Sequence, residues 1–396
     1  METVCFYWQH YKLGPLLGVG MTSEFKVSKP ILNNNLNSYL NENKGSYLFG
    51  YLNFDLKNSF EKLSSSHPDP LEFPLLQFWV PESVYLLKDN PVLLAGKDHR
   101  ENLAFATNFL AEFKAKDAVL NVEFKPRTSQ SRYHSQFEQL QKALQRGDIY
   151  EVNYCQEFYV ENCAIQKPVA LFGRLNHLTK APHAAYFQTA NHKVFCASPE
   201  RFIQKIGQHL RSEPIKGTAP RSEDKLKDRN LALALKCDPK ERAENIMIVD
   251  LVRNDLSRVA VKNSVQVDEL CEIYSFETVH QMISKISCQL SDSADLESIL
   301  TACFPMGSMT GAPKIEALRQ IDAHEDFRRG LYSGSIGLIE PNGDFDFNVV
   351  IRSLLYNSNT AYLSCAVGSA ITIEANAEAE YQECLLKAEK LIHGLK

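Results

Sequence analysis

The sequence predicts an α+β fold, a layered sandwich of two mainly antiparallel sheets with helices outside. Two observations carry this. Strand-like runs come in consecutive pairs rather than in strict alternation with helices. Helical patterns fall between those pairs and are free to pack on the outer faces of the sheets. A third observation narrows the class: no GxGxxG follows a strand and no GxxxxGK[ST] occurs, so nucleotide-phosphate loops of those two kinds are unsupported.

Taken in order, the first 125 residues hold short strand-like runs at 45–54 and 91–94, with helix-like stretches between them. The Ser- and Pro-rich segment 64–74 reads as a surface loop. A helix over 131–145 ends at Gly147, a residue suited to a helix stop. Strands are expected at 149–160, 183–188, 193–206, 274–290, 331–340, 344–356 and 361–367. Helices are expected at 222–235, 239–255, 312–325 and 377–392. Thr310 reads as the N-cap of the third of these, with Pro313 in its first turn.

The composition is that of an ordinary globular chain: 396 residues, 44% apolar and 23% charged. A chain this long buries a large core without disulfide staples. Its net charge of −5 argues against nucleic-acid binding, so an anionic substrate needs a local group of Lys and Arg. The ten cysteines form no CxxC and fall mostly in apolar, strand-like runs such as VFCA at 194–197. They read as buried free thiols of a reducing compartment. The N-terminus lacks signal-peptide features, and no run reaches the ~18 apolar residues of a membrane helix. The expectation is a cytoplasmic protein with no membrane partner.

Four candidates offer chemistry, the first of them built from two helices. Glu380, Glu383 and Lys387 are spaced three and four apart and share one helix face. Glu241 and Glu244 lie three apart on another helix, just before the apolar run IMIV at 246–249. Two helices with paired carboxylates can supply oxygen ligands to a hard cation such as Mg²⁺. The same spacing equally serves solvated Glu with i,i+4 Lys partners. Lys216, in PIKGT at 214–218, is a possible nucleophile if it can shed its proton, and otherwise a turn lysine. Glu200, in SPE at 198–200, is a general acid if partly buried, and otherwise a turn carboxylate. The helix start at 307–314, GSMTGAPK, can attract an anion or serve capping alone.

Read together and in order, these segments are far more specific. GDIYEVN (147–153), SPE (198–200), PIKGT (214–218), KERAEN (240–245), MIVDLVRNDL (247–256), FPMGSMTGAPK (304–314), IRS (351–353) and EYQE (380–383) resemble the chorismate-utilising enzymes. The likeness is strong from 131 to 387 and faint before 125, where GY (50–51) and DL (55–56) match best. It implies an N-terminal segment, 1–125, packed against a chorismate-binding catalytic domain, 126–396. It implies a layered α+β sandwich with the site in a cleft between the sheets. Glu244 and Glu383 would ligate Mg²⁺, supported by Glu241 and Glu380. Arg352, Tyr332, Lys387 and the backbone near Gly368 would hold the substrate carboxylates, and Thr310, Thr218 and Gln281 would complete the substrate contacts. Glu200 would protonate the departing ring hydroxyl.

Lys216 points to the aminodeoxychorismate-forming branch, whose members resemble PIKGT here, whereas the anthranilate-forming branch carries a small residue. In that branch the lysine attacks the ring and ammonia later displaces it, and a glutamine amidotransferase subunit supplies the ammonia. No cysteine here sits in a GxCxG nucleophile turn, so that subunit would be a separate partner. Nearby Mg²⁺ and Arg352 would lower the pKa of Lys216. Anthranilate formation is the alternative reading. Two positions depart from the pattern. Glu151 stands where amine-transferring members carry Gln, and the site His falls on Gln281, with His280 displaced by one residue. A one-residue step reverses the face of a strand, so Gln281 rather than His280 is expected to meet the substrate.

Overall fold

The computed structural model describes residues 3–30 and 35–396. Among them, 11 strands form one sheet and 10 form a second. Their pairings are antiparallel. Helices Arg100–Ala115 and Pro168–Thr179 cover the outside of the first sheet, where Tyr7, Phe109, Phe172, Tyr186 and Phe195 pack together. The larger core lies between the sheets and holds Phe6, Trp8, Phe49, Tyr51, Phe78, Trp79, Phe187 and Phe347. Burying each large apolar side chain there contributes about 1.5–3 kcal/mol. Helix Pro239–Ser257 sends Ile248, Val249 and Val252 into the same core, which fixes the helix against the second sheet.

The first 125 residues are woven into both sheets. Cys5–His10 pairs with His183–Gln188 in one, and Leu48–Leu52 pairs with Ser335–Ile339 in the other. Gly50 lies in the second of these strands, and a Cβ there would meet the Phe78 ring at 2.2 Å and the Gln77 carbonyl at 2.4 Å. The faint GY match is therefore a packing requirement between neighbouring strands.

Three sequence expectations change. Segment 193–206 is two strands, His192–Ser198 in the first sheet and Arg201–Ile206 in the second. Segment 344–356 likewise divides into Phe345–Asn348 in the second sheet and Ser353–Asn357 in the first. The second corner, 349–351, is apolar throughout, and the first is marked only by Pro199, so periodicity alone does not reveal that the strands change sheets. Segment 64–74 is irregular, yet it is docked: Leu71 and Phe73 are buried, and the Leu71 carbonyl accepts from His192 Nε2 and Asn357 Nδ2, each at 3.0 Å.

Candidate active site

The two sheet-switching corners lie against each other. The Glu200 carbonyl accepts from Val349 N at 3.0 Å, and the Arg352 carbonyl accepts from Ala197 N at 3.2 Å. Glu200 and Arg352 therefore meet where the chain passes between sheets. Arg352 adopts a left-handed φ of 50°, a conformation that costs an arginine about 1–3 kcal/mol and that gathers at functional sites. Glu200 is buried, and burial pushes its carboxyl up to about 7. The nearby Ser308 hydroxyl, the Ile215 backbone, Lys216 and Arg352 only partly offset that rise. Burial in turn lowers the guanidinium pKa of Arg352, against the pull of Glu200.

Lys216 is placed by a bulge. Strand Ile215–Pro220 pairs with Val279–Gln289 so that Ile215 faces Ile283 while Thr218 faces Gln281. Two residues, Lys216 and Gly217, thus stand opposite Met282 alone. Gly217 has a φ of 82°, and a Cβ there would come within 3.0 Å of both Glu241 Oε2 and Leu235 Cδ1. The bulge brings the lysine strand onto helix Pro239–Ser257. Lys216 Nζ donates to Glu151 Oε1, and both side chains are buried. Burial alone would lower the Lys216 pKa. The carboxylates of Glu151 and Glu244 outweigh it, and the pKa is raised. Three carboxylates, Glu200 included, surround the amine and hold its proton, whereas the lowering expected from Mg²⁺ belongs to the metal-bound site.

The carboxylate helices do converge. Lys240 Nζ lies 3.1 Å from Glu380 Oε1 and 4.0 Å from Glu244 Oε1, tying helix Pro239–Ser257 to helix Ala377–His393. Glu244 and Glu380 are buried, while Glu383 is exposed and pairs with Lys387 at 2.6 Å. Lys387 Nζ also donates to the Gly368 carbonyl at 2.9 Å, so those two predicted residues meet. Burial, reinforced by Glu151 and Glu241 against the pull of Lys216, pushes Glu244 up to about 7. Its Oε1 is buried without a hydrogen-bond partner. Glu241 is raised as well, by burial and by Glu383. This excess of hard oxygen charge fits a cation such as Mg²⁺. Among the described residues no three His, Cys, Asp or Glu side chains form a ready cage, so substrate and water oxygens would complete the shell.

Tyr332 is buried, which raises its phenol well above the usual value. Ser333 N donates to the Val350 carbonyl at 2.9 Å and holds the Tyr332 turn against the Arg352 corner. Thr310 does not N-cap the helix that follows it; it closes the short 3-10 turn Gly307–Met309. That helix is Lys314–His324, preceded by Pro313, and the Thr310 hydroxyl instead donates to the carbonyls of Met306 at 3.3 Å and Gly307 at 3.2 Å. The Gly311 φ of 142° turns the chain out of the helical path between them. Thr218 is exposed. Gln281 is buried with its Oε1 unpartnered, and among the described residues no hydrogen bond joins it to Glu200, Lys216 or Arg352. His280 is committed elsewhere, 3.0 Å from Asp228 Oδ1 and 2.8 Å from Ser275 Oγ.

Sequence reasoning missed Lys240, Ser308 and Arg329. The i,i+4 spacing of Lys240 and Glu244 was the available signal for the first. Ser308 sits in a glycine-bounded segment that was read for a helix cap or an anion site, with Thr310 as its substrate contact. Arg329 is fully internal, binding Glu325 at 2.6 Å and the Met309 and Asn153 carbonyls at 2.7 Å each, and it anchors the Ser308 loop. No spacing reveals such a long-range clamp. A separate cavity of about 760 Å³ lies beside this site. Its walls include Tyr11, Arg211 and Tyr274 together with Pro199 and Ile215, the chain neighbours of Glu200 and Lys216.

With the geometry established, comparison with known proteins is informative. The family described as chorismate binding enzyme matches residues 7–393. Aminodeoxychorismate synthase component 1 of Salmonella typhimurium is 41% identical over 264 residues, covering 67% of this chain and 57% of that protein. The Escherichia coli protein of the same name is 33% identical over 353 residues, covering 88% of this chain and 76% of its own length. Among solved structures, anthranilate synthase component I from Streptococcus pneumoniae superposes with a TM-score of 0.81 at 24% identity, covering 95% of this chain and 91% of that one. The menaquinone-specific isochorismate synthase of Escherichia coli gives 0.76 at 18%, covering 99% and 89%. At those identities the superpositions establish the shared fold.

Proposed function

The chain belongs to the chorismate binding enzyme family, and we propose that it aminates chorismate to 4-amino-4-deoxychorismate, as component 1 of an aminodeoxychorismate synthase. The observation that carries this reading is the buried Lys216 in PIKGT, bonded to Glu151 beside an acid, Glu200, held near neutrality. The product would serve para-aminobenzoate and folate synthesis. Ten cysteines, nine of them buried, accord with a cytoplasmic setting. No helix among the described residues is long and apolar enough to cross a membrane.

Chorismate is a dianion. Arg352 and Lys387 supply fixed positive charge for it. Glu241, Glu244, Glu380 and Glu383 would hold Mg²⁺. Once bound, the ion would anchor a substrate carboxylate and neutralise its charge. Glu200, protonated near neutral pH, gives its proton to the ring hydroxyl as the C–O bond breaks, so that water leaves. Lys216 must first lose a proton, for which Glu151 is the bonded acceptor. Its free amine then bonds to the ring carbon between the carboxylate-bearing and ether-bearing carbons, and both conjugated ring double bonds shift to expel the hydroxyl. Ammonia bonds to the carbon the hydroxyl left, and the electron shift in reverse releases the lysine.

Incubation with chorismate, magnesium chloride and ammonium chloride, followed by mass identification of the product, tests the reading. Anthranilate as the main product would overturn it. Because no cysteine of this chain sits in a nucleophile turn, the ammonia is expected from a glutamine amidotransferase partner. The purified chain should use ammonium salts and leave glutamine untouched until that partner is added. Glutamine hydrolysis by this chain alone would refute the division of labour.

Metal binding should also depend on pH. Glu244 must be ionised to act as a ligand, and its value near 7 means that the ion displaces a proton. Magnesium chloride should therefore raise the Tm more at pH 8 than at pH 6. An equal rise at both would remove Glu244 from the ligand set.

A further inference from the structure

Resting on the reading of Glu241, Glu244, Glu380 and Glu383 as a metal site, we propose that Lys240 is the resident counter-ion of this cluster and that a metal ion enters it by exchange for the Lys240 ammonium. Lys240 Nζ donates to Glu380 Oε1 at 3.1 Å and lies 4.0 Å from Glu244 Oε1, an oxygen with no hydrogen-bond partner. Glu241 acts on the same ammonium. Three of the four carboxylates thus share one monovalent cation. It is carried on a side chain that is 46% exposed and so has room to swing away. The fourth carboxylate, Glu383, has its own lysine in Lys387.

Neither ordinary role of such a lysine accounts for its place. Lys240 is the second residue of helix Pro239–Ser257, and a cation in the first turn opposes the helix dipole. Its i,i+4 partner is Glu244, but a lysine that precedes its glutamate is the weaker orientation of such a pair. What the position does supply is positive charge between two helices that bring carboxylates together. Coordination and hydrogen bonding use the same lone pairs of a carboxylate oxygen. Glu380 Oε1 must therefore release Lys240 before it can face a metal ion, and like charge then keeps the ammonium away. The backbone stays in place, because the Asp238 side chain caps the helix by accepting from Glu241 N at 3.0 Å. The exchange keeps the cluster neutralised with or without metal, and it sets a threshold for loading.

The test is a manganese chloride titration followed by electron paramagnetic resonance of the free ion, with magnesium chloride as competitor. It compares the wild-type chain with Lys240→Met and Lys240→Arg. Mn²⁺ takes the same hard oxygen ligands as Mg²⁺. Lys240→Met should bind both ions about 3- to 10-fold more tightly, since the competing ammonium is gone. Lys240→Arg keeps the charge and should bind no more tightly than wild type. Without added metal Lys240→Met should melt below wild type, and saturating magnesium chloride should close that gap. Unchanged or weaker metal binding in Lys240→Met, or a Tm gap that persists at saturating metal, would make Lys240 a structural tie between the helices and overturn the proposal. Should Lys240→Met not fold, Lys240→Gln carries the same expectations. A wild-type chain that binds neither ion would overturn the metal reading itself, and the proposal with it.

Discussion

Glu200→Gln should lower the rate of amination by about 100- to 10,000-fold, the usual contribution of a positioned general acid. The amide is nearly isosteric and keeps the corner intact, since it is the Glu200 backbone that bonds Val349 and Ser198. What is lost is a proton for the leaving hydroxyl. The sign of the pH effect follows from the raised carboxyl. The donor form predominates below about pH 7, so wild-type kcat should fall about tenfold per unit above it. That limb should vanish in the variant. Stability provides a second check. A carboxyl raised from its ordinary 4.5 to about 7 contributes stability that is complete below pH 4.5 and lost as pH rises through 7. Relative to wild type, Glu200→Gln should therefore be more stable at pH 8 than at pH 5. A variant with normal turnover would show that another group protonates the hydroxyl.

Much of this site was legible in the sequence because its chemistry is concentrated in short segments. SPE, PIKGT and KERAEN each keep their functional residue within a few positions of the glycine, proline or apolar run that fixes it. The corners were not legible. In the run 193–206 Pro199 marks a break but not its meaning, and only tertiary pairing shows that the two halves belong to different sheets. Fine geometry was also hidden. Helical spacing put Glu380 and Glu383 on one face, but depth cannot be read from spacing. The structure buries Glu380 against Lys240 and leaves Glu383 exposed on Lys387. Thr310 illustrates a third limit. A threonine before a helical run resembles an N-cap, yet the positive φ of Gly311 redirects the chain and turns its hydroxyl back on Met306 and Gly307. The carboxylates around Lys216 were hidden for a similar reason, since its bonded partner, Glu151, lies 65 residues away.

Replacing that lysine should have the largest combined effect of any single change. Lys216→Met removes the one ammonium directly bonded to Glu151 and leaves Glu151 and Glu244 mutually repelling in a buried site. Breaking one side of a buried pair costs about 3–5 kcal/mol, less whatever a newly protonated carboxyl recovers. Urea unfolding should show that loss, and it should shrink at low pH, where the carboxyls are neutral. Adding Glu151→Gln should restore part of it, because the amide carries no charge to be stranded. The chemical effect is separable from the structural one. Wild-type protein quenched after mixing with chorismate and magnesium chloride, without ammonia, should carry added mass on the peptide that contains Lys216. The double variant, with part of the lost stability restored, should carry none. Some amination can survive in it, since Glu200 still protonates the leaving group and ammonia can attack directly. A wild-type peptide without added mass, under conditions where ammonia supports full turnover, would leave Lys216 as a charge that positions chorismate and would assign the displacement to ammonia alone.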